Sequence, residues 1–174
     1  MKKLLSLFLI LFSFTCFQVT AIESRLRLAA AQPTNKQNLD ISTLELSYLI
    51  DGGTFHDNFD LQWHVAFNLG NLAVENVNIM MLGGALGLSY PIINKLDIFF
   101  EGGVTWLDQH EFGQVGIAYK DYGGPWQYQA KLGVDYNIRK SWNFGYAYLH
   151  MSNGDRYHIN PSLDAHSLYV SYQF

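Results

Sequence analysis

Cysteine is almost absent from the sequence, and the single residue, Cys16, lies near the N-terminus. Around it, Lys2 and Lys3 precede an apolar run from Leu4 to Phe14, and Val19–Ala21 resembles a cleavage site with small residues. These features are typical of a secretory signal peptide. We expect cleavage after residue 21, which leaves a mature domain of residues 22–174 with no disulfide and no thiol nucleophile.

Long apolar runs and excess positive charge are also lacking. A transmembrane helix needs about 20 consecutive apolar residues. The N-terminal run is shorter, and charged or polar residues interrupt each later one. Membrane residence would therefore require β-strands. The predicted mature chain keeps nine basic against 15 acidic residues, a net charge of −6, which argues against a nucleic-acid partner.

Aromatic residues are abundant, at 16% of the chain, and they alternate with small or polar residues. Composition alone fits a soluble β-sandwich as well as a β-barrel, so the periodicity decides. The clearest segment is 141–152, where one face carries Trp142, Phe144, Tyr146 and Tyr148 and the other carries Asn143, Gly145, Ala147 and Leu149. A strand with rings on one face and small groups on the other indicates lipid outside and a narrow interior.

Seven further segments show the same period of two with varying clarity. The predicted strands are 22–31, 43–50, 59–69, 79–92, 96–106, 126–138, 141–152 and 164–174. The pattern places Glu101, Lys131 and Asp135 in the interior, where Glu101 and Lys131 join a polar network and Lys131 could pair with Asp135. An eight-stranded barrel is filled by its own side chains, so we expect binding or chemistry on the loops or the outer wall.

The connections between these segments are of two kinds. Short turns are predicted at Asp51–Gly53, Asn94–Lys95 and Arg139–Lys140, and longer loops at 32–40, 108–124 and 153–163. Bacterial barrels place short turns in the periplasm and long loops outside. The last strand ends with alternating apolar residues and Phe174, which is similar to the C-terminal assembly sequence of outer-membrane proteins. We therefore predict an all-β, eight-stranded antiparallel transmembrane β-barrel in the bacterial outer membrane.

A group of reactive residues lies at the end of two neighbouring predicted strands. His150 and Ser152 continue the outward face of their strand at its outer-leaflet end, and their α-carbons are expected about 7 Å apart. Asp164 opens the next strand with the same outward parity. Serine, histidine and a carboxylate on adjacent strands are the components of an acyl-transfer site.

The same residues also have simpler interpretations. A histidine at a barrel rim can be an interfacial polar residue, His-x-Ser is a weak pattern by itself, and the aromatic rows can be a lipid-facing girdle. Asp155, Arg156 and His158 are expected on solvated loop surface. The six histidines lie on different strands or loops, with only a weak pairing of His158 and His166, so the sequence predicts no metal site.

Three segments resemble a known family, the outer-membrane lipid A 3-O-deacylases of the PagL type. They are His150–Asn153, the segment Leu163–Tyr169 with its acid fourteen positions after the histidine, and Phe99–Val104. The resemblance covers the second half of the chain well and the first half only in strand pattern. It implies an esterase that removes the 3-hydroxyacyl chain at position 3 of lipid A without metal or cofactor.

The resemblance also implies a role for each matching residue. Ser152 corresponds to the nucleophile, His150 to its general base and Asp164 to the orienting acid. Asn153, Gly154 and Asn160 correspond to the oxyanion region, where the backbone N–H of Asn153 would stabilise the tetrahedral intermediate.

The chain departs from the family pattern at two of these positions. The expected acid is a glutamate, and Asp164 is one methylene shorter. A glycine expected at position 155 is Asp155, with Gly154 one place earlier.

Two other functions fit the same sequence. One is a non-enzymatic small barrel for adhesion or envelope integrity, in which loops 108–124 and 153–163 bind a partner. The other is a lipase or acyltransferase that uses phospholipid in place of lipid A or lipopolysaccharide. The sequence leaves open whether the protein acts as a monomer or a homodimer.

Overall fold

A computed structural model describes residues 23–35, 38–56 and 59–174. The predicted signal peptide, residues 1–21, lies outside this part of the chain, as does Ile22. The strands are β1 (Ser24–Pro33), β2 (Ile41–His56), β3 (Phe59–Val74), β4 (Val77–Ile93), β5 (Leu96–Leu107), β6 (Glu111–Gln114), β7 (Ala118–Asp121), β8 (Trp126–Arg139), β9 (Trp142–Ser152) and β10 (Leu163–Gln173). No helix in the described ranges is long and apolar enough to span a membrane.

Eight of these strands close into an antiparallel barrel in the order β1-β10-β9-β8-β5-β4-β3-β2. Pairing of β1 with β10, from Arg25 with Gln173 to Pro33 with Ala165, closes the sheet. Closure removes the unpaired edges that an open sheet would present. The predicted fold class is confirmed. The other two strands, β6 and β7, form a separate hairpin in the connection between β5 and β8.

The short connections agree with the prediction at two places and differ at a third. β4 and β5 are separated by residues 94–95, and β8 and β9 by residues 140–141. The predicted turn at Asp51–Gly53 is wrong, because β2 continues to His56 and the register against β3 shifts between Asp51 and Gly53. This is a β-bulge, and a Cβ on Gly52 would lie 2.2 Å from the Trp63 ring. Glycine therefore marks a bulge with close packing here.

The side chains alternate between an apolar outer wall and a mostly polar interior, as predicted. Outward residues such as Leu86 and Leu132 are 66% and 54% exposed. Five of the interior side chains form one connected group around Glu101. Glu101 Oε1 lies 2.6 Å from Arg27 Nη1 and 2.9 Å from His64 Nε2. Lys131 contacts Glu45 and lies 3.9 Å from Glu101.

The interior charges pair differently from the sequence expectation at one position. Lys131 pairs with Glu45 and Glu101, whereas Asp135 lies 3.6 Å from Arg25 Nη1. Glu101 is directly opposite Lys131 on the neighbouring strand β5, whereas Glu45 and Arg25 come from β2 and β1, which do not pair with β8. The pairings with Glu45 and Arg25 therefore depend on barrel closure. A buried charge that keeps partners avoids the large cost of an uncompensated ion.

The end of the barrel away from the termini is filled by an apolar cluster, and the β6–β7 hairpin contributes to it. Phe112 and Tyr122 are 2% and 0% exposed, and their rings meet edge to face with centroids 6.1 Å apart. They pack with Leu107 and Met151 of the barrel strands, among others. The hairpin is therefore anchored in the barrel mouth beneath the loop that joins β9 and β10.

An arginine placed in the middle of the outer wall should cost more stability than one near its edge. Leu132 and Ile138 both face outward on β8, but Leu132 lies at the middle of the strand and Ile138 near its end. Leu132→Arg should destabilise the protein by about 2–4 kcal/mol and Ile138→Arg by about 0–1 kcal/mol. Reversible denaturant unfolding in lipid vesicles measures both. Equal losses would contradict the assigned membrane depth of β8.

Candidate active site

The candidate nucleophile, base and acid form one line of hydrogen bonds across β9 and β10. The pairing of these strands places Asp164 directly opposite His150. His150 Nδ1 lies 2.7 Å from Asp164 Oδ1, and His150 Nε2 lies 3.1 Å from Ser152 Oγ. With Nδ1–H donating to the carboxylate, Nε2 is free to accept the hydroxyl proton. The three residues thus have the connectivity of an acyl-transfer triad.

This line lies on the outer wall at the end of the barrel away from the termini. The His150 and Asp164 side chains are 45% and 28% exposed. Leu149 and Met151, which flank His150 in β9, point into the apolar cluster at the barrel mouth. Alternation along the strand therefore turns the imidazole and the hydroxyl toward the surroundings, as predicted.

The shorter acid reaches the imidazole because of the strand register. Residues directly opposite each other in an antiparallel pair have the closest Cβ atoms of any cross-strand neighbours. Asp164 and His150 are such a pair. A short carboxylate is sufficient at this position.

Two further side chains hold the carboxylate, and the sequence pattern predicted neither of them. Tyr148 Oη–H donates to Asp164 Oδ1 at 2.8 Å, and Ser162 Oγ–H donates to Asp164 Oδ2 at 2.8 Å. The alternation alone assigns Tyr148 to the aromatic girdle. The signal that could have identified Tyr148 is its position two residues before His150, on the same face of β9. Together these bonds fix both carboxylate oxygens.

The outward row continues toward the middle of the membrane with a second tyrosine–histidine pair. Tyr146 Oη lies 2.6 Å from His166 Nδ1, and the two rings stack with centroids 5.8 Å apart. His166 follows Asp164 on the same face of β10. Its imidazole is thus engaged with Tyr146, and the pair lies two residues beyond Asp164 on β10 and four residues before His150 on β9.

The loop after Ser152 is held by two asparagines. The Asn153 side chain is fully buried, and its Nδ2 donates to the carbonyls of Tyr122 at 3.0 Å and Ile159 at 2.7 Å. The Asn153 backbone N–H donates to Asn160 Oδ1 at 2.9 Å. This N–H, expected to face the oxyanion, is instead engaged with Asn160. In the structure the Asn153 N–H orients the Asn160 amide. The Nδ2 of that amide also donates to Asp155 Oδ1 at 3.0 Å.

The turn at Gly154 and Asp155 accommodates the departure from the family pattern. Both residues have a φ of 62°, in the left-handed region. Aspartate adopts this region more readily than most residues, so Asp155 can replace a glycine without losing the turn. Gly154 cannot be replaced as easily, because a Cβ there would lie 2.9 Å from the Tyr128 ring.

A lysine from the hairpin reaches the beginning of β10. Lys120 Nζ donates to the Ser162 carbonyl at 3.2 Å and lies 5.0 Å from the centre of the Tyr122 ring. Burial lowers the pKa of the Lys120 ammonium, and the negative charge of Asp164 opposes that shift. The hairpin therefore places a positive charge close enough to the Asp164 carboxylate to interact with it.

Small residues lie beside His150 on the outer wall. Ala130 of β8 is opposite His150, and Gly102 of β5 is opposite Ala130. Their larger outward neighbours, Leu132 and Phe100, are 54% and 49% exposed. The row from His150 through Ala130 to Gly102, which we call the trough, therefore carries small side chains on the outer wall and is bordered by the Phe100 ring next to Gly102.

Comparison with solved structures supports the barrel architecture. The crystal structure of the outer-membrane enzyme PagL superposes with a TM-score of 0.64 at 12% sequence identity, covering 85% of this chain and 98% of that chain. A de novo designed transmembrane β-barrel gives a TM-score of 0.59 at 11% identity, covering 90% and 98%. The Yersinia pestis outer-membrane protein Ail gives 0.54 at 12% identity, covering 88% and 99%.

The sequence itself carries a more specific relationship. No curated protein sequence gives a significant match. The model of the family described as lipid A 3-O-deacylase (PagL) matches residues 42–173, which include every candidate site residue. This chain is an outer-membrane β-barrel and belongs to the lipid A 3-O-deacylase (PagL) family.

Proposed function

We propose that this protein hydrolyses the ester that links a 3-hydroxyacyl chain to position 3 of lipid A, with Ser152, His150 and Asp164 as its catalytic residues. The observation that carries the proposal is the continuous hydrogen bonding from Ser152 Oγ through His150 to Asp164 on the outer wall. A lipid in the outer leaflet approaches this surface from the side, without entering the filled barrel.

The reaction begins with attack of Ser152 Oγ on the ester carbonyl. His150 Nε2 takes the hydroxyl proton, and Asp164 stabilises the imidazolium that forms. Collapse of the tetrahedral intermediate breaks the bond to the sugar oxygen, which leaves as an alcohol with the proton from His150. A water molecule, activated by His150, then hydrolyses the acyl-Ser152 ester and releases the 3-hydroxy fatty acid.

The developing oxyanion needs hydrogen-bond donors that are already in place. The Asn160 side-chain amide suits this role, because Asn153 N–H fixes its oxygen and Asp155 accepts one of its two N–H protons. The second N–H remains to donate. Backbone N–H groups of the turn at Gly154 are the other candidates.

The trough beside His150 suits an acyl chain. Its floor is made of Ala130 and Gly102, and it leads from the imidazole across the outer wall. A hydrocarbon chain lying there would stay in apolar surroundings while its ester reached Ser152. This arrangement favours a long-chain lipid ester over a water-soluble one.

Loss of the nucleophile or of the base should abolish deacylation while leaving the barrel folded. Ser152→Ala and His150→Ala should each remove essentially all activity, and the double variant should be no worse than either single one, because the residues act as a unit. Mass spectra of lipid A from producing cells measure the loss of one 3-hydroxyacyl group.

Ser141→Ala and His158→Ala are matched controls away from the triad and should keep full activity. A Ser152→Ala variant that still deacylates lipid A would disprove the mechanism. Loss of fatty acid from phospholipid with intact lipid A would identify the protein as a phospholipase instead, and no change in either lipid would favour a non-enzymatic barrel.

Asp164 should act directly on His150, and Tyr148 should affect turnover only through the Asp164 carboxylate. Asp164→Asn should lower turnover by several orders of magnitude, up to about 10⁴ as for other triads that lose the charge of their acid. Tyr148→Phe should lower it by roughly tenfold, since it removes one hydrogen bond to a charged group. Rates on purified lipid A provide both values.

Tyr146→Phe is the control for the tyrosine, because Tyr146 contacts His166 and not Asp164. Adding Tyr148→Phe to Asp164→Asn should cause little further loss if Tyr148 acts through the carboxylate. Fully additive effects, or equal losses in the two tyrosine variants, would assign Tyr148 a merely structural role.

Filling the trough should impair long-chain substrates. Ala130→Leu places a large side chain opposite His150, and it should lower kcat/KM for lipid A by an order of magnitude or more. Hydrolysis of a short-chain ester should change less, because a short acyl group does not need the trough. Ala73→Leu, an outward substitution on β3, is the matched control. Unchanged lipid A hydrolysis in Ala130→Leu would exclude the trough as the acyl path.

A further inference from the structure

The β6–β7 hairpin brings Asp121 close to the consecutive residues His110 and Glu111, so that three side chains able to ligate a metal lie together. One donor atom each from His110, Glu111 and Asp121 lies within 4.8 Å of the others. His110 Nδ1 is 3.1 Å from Asp121 Oδ1. None of the three belongs to the candidate triad, and the proposed deacylation uses none of them.

Charge compensation at this place is incomplete. Glu111 and Asp121 are directly opposite each other in the hairpin. Like charges in that position destabilise a strand pair. Within the described ranges, no lysine or arginine forms an ion pair with either carboxylate. Lys120 follows the alternation of the strand to the other face, where it binds the Ser162 carbonyl.

The backbone that carries these ligands is fixed. Asp121 Oδ1 accepts the Gly123 N–H at 2.7 Å, and the His110 carbonyl accepts the Tyr122 N–H at 2.8 Å. The adjacent Phe112 and Tyr122 are buried in the barrel mouth. Glu111 is exposed, so its longer side chain can adjust to a bound ion. Two ligands on a rigid base and one adjustable ligand suit a binding site.

We infer that His110, Glu111 and Asp121 form a binding site for a divalent transition-metal ion of the Zn²⁺ type. Bonds of about 2.0–2.2 Å in tetrahedral geometry place ligand atoms roughly 3.3–3.6 Å apart. The three ligand atoms now lie within 4.8 Å of one another, so small side-chain movements bring them to that separation. An imidazole nitrogen with two carboxylates favours Zn²⁺ over Mg²⁺ and Ca²⁺, which prefer oxygen ligands alone. The His110 and Asp121 side chains are 31% and 18% exposed, which leaves room for water as a further ligand.

The ion would neutralise the facing carboxylates and join the two strands of the hairpin. Because Asp121 also holds Gly123, and the neighbouring Tyr122 carbonyl holds Asn153, the bound ion would lie next to the anchor of the loop after Ser152. The site is separate from the proposed hydrolysis, and it can be tested without it.

Calorimetric titration of ZnCl₂ into the full mature chain in detergent micelles tests the site, with Ser152→Ala as the background so that no turnover interferes. We expect saturable binding of one Zn²⁺ per chain, and at least tenfold weaker binding of Mg²⁺ and Ca²⁺. His110→Ala and Asp121→Asn should each weaken Zn²⁺ binding by about tenfold or more, since even indirect partners of metal ligands have effects of that size.

His158→Ala, an exposed histidine of the neighbouring loop, is the matched control and should bind as the parent does. The migration shift of unheated barrels on gels reports whether each variant is folded. Glu111→Gln changes an exposed ligand without disturbing the base of the hairpin, and it should also weaken Zn²⁺ binding. Absence of one-to-one Zn²⁺ binding, equal affinity for Ca²⁺, or equal loss in His158→Ala would each overturn the proposal.

Discussion

The fold depends on one constraint: every backbone N–H and C=O group of a strand must find a hydrogen-bond partner inside the apolar layer of the membrane. No water is available there to satisfy an exposed N–H or C=O, so the sheet must close on itself. Closure between β1 and β10 fixes the register of each strand pair, and the register fixes which residues face lipid. The outward direction of Ser152 and His150 follows from the same alternation that turns Leu149 and Met151 inward.

The filled interior gives this arrangement its rigidity. Near the middle of the barrel, Glu101 is held between Arg27 and His64 from two other strands, and Lys131 links it to Glu45. Toward the outer end, an apolar cluster supports β9 from inside. A lumen occupied by its own side chains leaves no path for a lipid. The proposed chemistry therefore belongs on the outer wall, and the filled interior supports that wall from behind.

The two strands of the candidate site, β9 and β10, show which features the sequence could predict and which it could not. Alternation predicted the outward parity of His150, Ser152 and Asp164, because parity depends only on neighbouring residues. It could not show that Asp164 is directly opposite His150, which depends on the pairing of β9 with β10. The partner hydroxyl of Tyr148 was missed for the same reason. Glycines at 52 and 53 suggested a turn, and the structure shows a bulge, because packing against Trp63 is a tertiary contact.

The sequence by itself determined the class of fold and the facing of the strands and pointed to the candidate reacting groups, since a period of two and a His-x-Ser element are local properties. Only the tertiary structure decided which charges pair across the lumen, how the short carboxylate of Asp164 reaches the imidazole, and that Asn153 N–H binds Asn160. It alone brought His110 and Glu111 to Asp121, because their proximity arises when the β6–β7 hairpin forms. Contacts between strands require a register, and a register is set by closure of the whole barrel.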